Sequence, residues 1–74
     1  MPRLPALSAR EIVRALGKAG YSQQRQTGSH LILYSAARSQ TLSVPNRNPV
    51  KRGTLRALIR QAGLSLDDFL GLLH

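Results

Sequence analysis

Gly28-Ser29-His30 is the place in this chain where residue types and spacing best suit proton-transfer chemistry. The serine brings a hydroxyl, and histidine is the side chain whose unperturbed pKa lies nearest neutrality. Thr27-Gly28 reads as a tight turn, with glycine supplying the sharp change of direction. The apolar run Leu31-Ile32-Leu33-Tyr34 follows at once, so His30 is expected at the start of a strand, braced on either side. That is a rigid mount for a group that moves protons. A single histidine in so short a motif is more often a half-buried structural residue than a catalyst. Its surroundings therefore decide.

Other chemistries are poorly supplied. Metal-dependent nucleases gather carboxylates around their cations, and this chain has three acidic residues in all, Glu11, Asp67 and Asp68. Each falls where a helix is expected to begin, a position that the helix dipole explains. With no cysteine and only His30 and His74, no zinc set can be assembled, so neither metal nor cofactor is expected. RNA cleavage without metal remains open, because RNA carries its own nucleophile, the 2′-hydroxyl. The protein need only move protons and stabilise charge on the phosphate. His30 suits the first task and a neighbouring Arg or Lys the second. A single histidine cannot be acid and base in one step; Lys51, Tyr34 and water are equal candidates for its partner. Ser29 lacks an acidic residue to complete a hydrolase set. It is expected to fix the turn or to hydrogen-bond a phosphate.

Charge points the same way. Eleven Lys and Arg against three Asp and Glu give a net charge of +8 on 74 residues. Lys18 and Lys51 are the lysines and the rest are arginines, the residue that grips phosphate bidentately and stacks on bases. A polyanionic partner is expected, nucleic acid first, then an acidic protein, then a membrane surface. The length suits one small domain with an aliphatic core. No apolar run is long enough to span a membrane, and residues 1–7 look like a flexible lead rather than a signal peptide. A cytoplasmic location is the default.

The elements that must position these residues can be read in order. Ser8-Ala9-Arg10-Glu11 fits a capping box, and Ala9, Ile12, Val13 and Leu16 form the apolar face of a helix. Gly20 is expected to stop it, after a weaker interruption at Gly17. Arg10, Arg14 and Lys18 make a basic ridge on its outer side. Strands follow at Tyr21–Gln26, His30–Ser35 and Thr41–Val44. In the second, His30, Ile32 and Tyr34 oppose Leu31 and Leu33, so both sheet faces are expected to be covered. Ala36-Ala37-Arg38-Ser39 is expected to be a hairpin loop although it lacks glycine. Pro45-Asn46-Arg47-Asn48-Pro49 must be irregular. A second helix runs from about Lys51 to Ala62, buries Leu55, Leu58, Ile59 and Ala62, and carries a ridge of Arg52, Arg56 and Arg60. Gly53-Thr54 stands at its start, where free N–H groups favour phosphate. Ser65 and Asp68 open a short last helix. The expected fold is α+β, αβββα with two helices on one face of a three-stranded antiparallel sheet. Ile12, Val13, Leu16, Leu42, Val44, Leu55, Leu58 and Ile59 are its expected core.

With these elements placed, the chain resembles the HicA (YcfA-like) mRNA interferase toxins. The resemblance rests on Gly20-Tyr21, Arg25-Gln26-Thr27-Gly28-Ser29-His30, Val44-Pro45, Gly53-Thr54-Leu55-Arg56 and Gln61-Ala62-Gly63-Leu64, in the family's order and spacing. It covers residues 8–74 as a single domain. It implies a fold like the double-stranded RNA-binding domain, ribosome-independent cleavage of mRNA depending on His30, and neutralisation by an acidic HicB-type antitoxin. One departure stands out. Many members have a second histidine two residues after the Val-Pro proline, where this chain has Arg47. The expected RNA-contacting set is Ser29, Arg25, Arg47, Lys51, Arg52, Thr54, Arg56 and Arg60, around His30 as the catalytic residue. A non-catalytic RNA-binding module of the same fold and a basic docking protein for an acidic partner are the alternatives.

Overall fold

The computed structural model describes residues 3–73; Met1 and Pro2, part of the expected lead, and His74 lie outside them. The order is α1 (Ala9–Lys18), β1 (Ser22–Gln26), β2 (His30–Ser35), β3 (Gln40–Pro45), α2 (Arg52–Gln61) and α3 (Leu66–Leu72). The strands form one antiparallel sheet in the order β1-β2-β3. This is the expected αβββα arrangement with a short C-terminal helix.

Helix ends follow local chemistry. Ser8 Oγ accepts from the Glu11 N–H at 3.2 Å, and Glu11 Oε1 accepts from the Ser8 N–H at 3.0 Å. Hydrogen bonding by the Ser8 backbone, and then by its side chain, holds the Glu11 carboxyl below its ordinary 4.5. The cap is therefore complete above that pH and is lost as pH falls through the depressed value. Ser65 and Asp68 repeat the box at α3. At the other ends, Gly20 (φ +100°) and Gly63 (φ +75°) take the left-handed conformation. The Gly20 and Tyr21 N–H groups donate to the carbonyls of Gly17 and Leu16, and those of Gly63 and Leu64 to Arg60 and Ile59. Both long helices thus close with the same pair of reversed bonds. Gly17 does not interrupt α1. At Gly63 a side chain would also strike the Arg38 guanidinium, at 2.6 Å from its Nη2.

Register decides which sheet face is covered. Leu31 pairs with Val44 and Leu33 with Leu42, and all four are buried beneath the helices. His30, Ile32 and Tyr34 turn to the opposite face, where His30 and Ile32 are half-buried and Tyr34 is exposed. Only one face is covered, contrary to the expectation from this strand's nearly unbroken apolar run, because all three helices pack on the same side. The hairpin without glycine is made by Ser39, which itself adopts φ +50°.

The core includes the expected Ile12, Leu16, Leu42, Val44, Leu55, Leu58 and Ile59. Val13 is only half-buried, because it borders an open cleft beside Gln23 and Gln26 of β1, and Ala15 is buried instead. Residues 3–7 are not a loose lead. Leu4 and Leu7 are buried, the Arg52 Nε donates to the Leu4 carbonyl at 2.9 Å, and the Val50 N–H donates to the Leu7 carbonyl at 2.8 Å. Two leucines three apart between prolines and alanines carry no period from which burial could be read. Gln40 ties the far end together: its Oε1 accepts from the Tyr21 hydroxyl and Arg38 Nε, and its Nε2 donates to the Gln61 carbonyl at the end of α2.

Candidate active site and nucleic-acid interface

The β1–β2 turn is closed by Thr27 and His30, whose backbones exchange bonds of 2.9 and 3.4 Å across Gly28-Ser29. Gly28 does not use the left-handed backbone that its position suggested, and a Cβ there would meet nothing within 4 Å. His30 follows as the first residue of β2, opposite Pro45. The pairing continues beyond the strand, since the Asn46 N–H donates to the Ser29 carbonyl at 2.8 Å. His30 is thereby held between two strands at the sheet's end. Ser29 Oγ lies 2.9 Å from His30 Nδ1. A hydroxyl donating to Nδ1 places the ring proton on Nε2, whereas an accepting hydroxyl leaves Nε2 free to take one. In either state Ser29 orients the ring through one nitrogen and leaves the other for chemistry.

Four cations gather around this end. Arg47 lies two residues beyond the partner of His30; its N–H donates to the Pro45 carbonyl, and its own carbonyl accepts from Ala9, the first residue of α1. Lys51 is the N-cap of α2, where no side chain satisfies the first N–H groups and no acid stands in the first turn. Thr54 follows within that turn, half-buried. Arg10 borders a cleft with Val13, Gln23, Gln26, Leu31 and Asn46. Both long helices therefore begin at the His30 end, and their positive dipole ends add to the cationic side chains. Arg10 and Asn46 are not in the RNA-contacting set expected from sequence. A ridge arginine and a turn asparagine look the same wherever the fold happens to place them.

Arg25 reaches the site by a less obvious route. Gln23 pairs with Leu33 but Arg25 pairs with Ile32, so Gln24 is an extra residue, a β-bulge. Regular pairing would set Arg25 opposite Leu31, on the helix side. The bulge rotates it onto the open face, diagonal to His30. Alternation alone could not show this.

The structure separates the expected Arg52-Arg56-Arg60 ridge into different roles. Arg52 binds the Leu4 carbonyl. Helix α2 runs away from the His30 end, because the Gln61 carbonyl near its close meets Gln40 at the opposite end of β3. Arg56 and Arg60 flank a shallow cleft with Ile59, Leu64 and Leu66. Arg60 is thus remote from His30. Tyr34, one candidate for the proton partner, lies four residues along β2, roughly 13 Å away at ~3.3 Å per residue. It is too far to share a proton with His30 directly.

Residues 9–64, more than half of the chain and including this whole arrangement, match the family model described as HicA toxin of bacterial toxin–antitoxin. The chain belongs to the HicA toxin family. Its place is therefore among the toxins of bacterial toxin–antitoxin systems. No curated protein matches it closely enough to add to that assignment. In this HicA-family chain the matched span ends before α3, whose Phe69 nevertheless completes the core. Among the described residues no helix is long and apolar enough to cross a membrane, and no three His, Cys, Asp or Glu residues gather as a metal site.

Proposed function

We propose that this HicA-family toxin is a metal-independent endoribonuclease that cleaves mRNA in the cytoplasm and is silenced by an acidic HicB-type antitoxin. The observation that carries the reading is His30, fixed at a sheet end with Nδ1 2.9 Å from Ser29 Oγ and its open face flanked by Arg25. The substrate's 2′-hydroxyl attacks phosphorus, the bond to the 5′-oxygen breaks, and a 2′,3′-cyclic phosphate and a 5′-hydroxyl result. His30 Nε2 takes the proton of the attacking hydroxyl, and water reaching the half-exposed site gives a proton to the leaving 5′-oxygen. Arg25, Arg47 and Lys51 stabilise the charge on the phosphate, with Thr54 at the uncapped start of α2 as a further contact. An antitoxin that covers this end removes both the proton carrier and its cations, and an acidic surface on it would steer the encounter.

Purified protein should cleave RNA in excess EDTA and leave cyclic phosphate ends. A substrate with 2′-deoxy at the scissile position should be inert. Cleavage of that substrate, or activity that vanishes in EDTA and returns with a divalent cation, would rule out this mechanism.

The α2 arginines separate by role. Arg56→Ala with Arg60→Ala is expected to flatten the log–log salt dependence of RNA binding by up to roughly one unit per lost contact. An unchanged slope would make them a solvated face only. Arg52→Ala should instead lower stability, by about 1 kcal/mol for the lost bond to Leu4, read as a shift in denaturant midpoint.

A further inference from the structure

Among the described residues nothing covers the sheet face opposite the helices, and its composition is unusual for a mere solvated surface. Tyr34 is 37% exposed, the one exposed large hydrophobic side chain among the described residues. It shares that face with His30 and Ile32 of β2, with Thr41 and Ser43 opposite them on β3, and with Arg25 brought over by the bulge. The chain's three acidic residues are all on helices, behind the sheet. The face is therefore aromatic at one end, cationic beside its middle, free of negative charge, and continuous with the candidate catalytic residue.

We infer that this open face is a track for single-stranded RNA, with Tyr34 stacking on a base a few nucleotides from the phosphate at His30. The inference rests on the ribonuclease reading for the identity of its ligand. An aromatic ring lying on a sheet offers a π-face to any unpaired base, which makes such platforms tolerant of sequence. Ile32 supplies apolar contact between the two ends, and Arg25 meets the backbone along the edge. Paired bases cannot reach Tyr34 in this way. The substrate class is single-stranded RNA rather than duplex.

The test uses an RNA of about ten nucleotides, within the span that one small domain covers, made uncleavable by 2′-O-methylation. Tyr34→Ala should weaken its binding roughly 5- to 150-fold, Tyr34→Phe should bind like the parent, and binding of a duplex should be unchanged by either. A direct readout does not depend on how well the alanine variant folds. Tyr21 is buried and Tyr34 is the other tyrosine, so in a Tyr21→Phe protein the tyrosine fluorescence should be quenched by the single strand. No quenching, or equal loss of single-strand and duplex binding in Tyr34→Ala, overturns the inference. Cleavage of unmodified RNA by the parent is scored separately. Cleavage without any dependence of binding on Tyr34 leaves the ribonuclease reading standing and the track refuted. Tyr34-dependent binding without cleavage does the reverse.

Discussion

His30→Ala is expected to abolish RNA cleavage while leaving the fold and most RNA binding in place. A positioned general base or acid contributes typically ~10²–10⁴-fold, so residual activity should fall at least that far. The side chain is half-buried at the edge of the open face and takes no part in the core, and its backbone bonds to Thr27 survive the substitution. Thermal midpoint and salt-dependent binding should therefore stay close to those of the parent. Ser29→Ala is a useful companion. It removes the hydrogen bond at Nδ1 but not the ring, so it should shift the pH dependence of cleavage and lower the rate by less. Full activity in His30→Ala would remove the residue from the mechanism. Cleavage lost together with the folded state would show only a structural role.

The largest expected effect on stability lies outside the matched family span. Phe69 heads the fully buried side chains by volume, although α3 is only a short helix beyond residue 64. Phe69→Ala should cost about 3–5 kcal/mol, the transfer term plus the cavity left behind. Set against a usual ~5–15 kcal/mol for a whole domain, and towards the lower end for so few residues, that leaves little margin. Chemical denaturation should show the midpoint falling with little change in slope. A loss below about 1 kcal/mol would mean that α3 is peripheral and that α1, α2 and the sheet close the core without it.

Much of the frame is legible in the chain itself. Ser8 with Glu11 and Ser65 with Asp68 are local signals whose partners lie three residues away, and the structure makes both boxes. The two glycines that end the long helices are equally local. Leu42 and Val44 alternate because one face of β3 is covered. What could not be read depends on partners distant in sequence. Leu4 and Leu7 are buried only because Arg52 and Val50 come from the other end of the chain to hold them. Val13 borders an open cleft while Ala15 lies in the core, a difference that depends on what packs against each side of α1. At the site, His30 and its neighbour Ser29 stand together in sequence and in space. Arg47 joins them through strand pairing, whereas the equal spacing of Arg52, Arg56 and Arg60 concealed one structural anchor and one remote residue.

The extra residue at Gln24 has a consequence for how β1 can vary. Before it, even-numbered positions such as Ser22 face the open side; after it, odd-numbered ones such as Arg25 do. The strand is thus written in two reading frames, joined at a single uncommitted position. A substitution at Gln24 changes one exposed side chain and leaves both frames intact. Removing Gln23 or Gln24 would merge them into one regular alternation in which Arg25 still stands opposite Ile32, on the open side. The pairing of Arg25 with Ile32, more than the length of the segment before it, is what this strand must preserve.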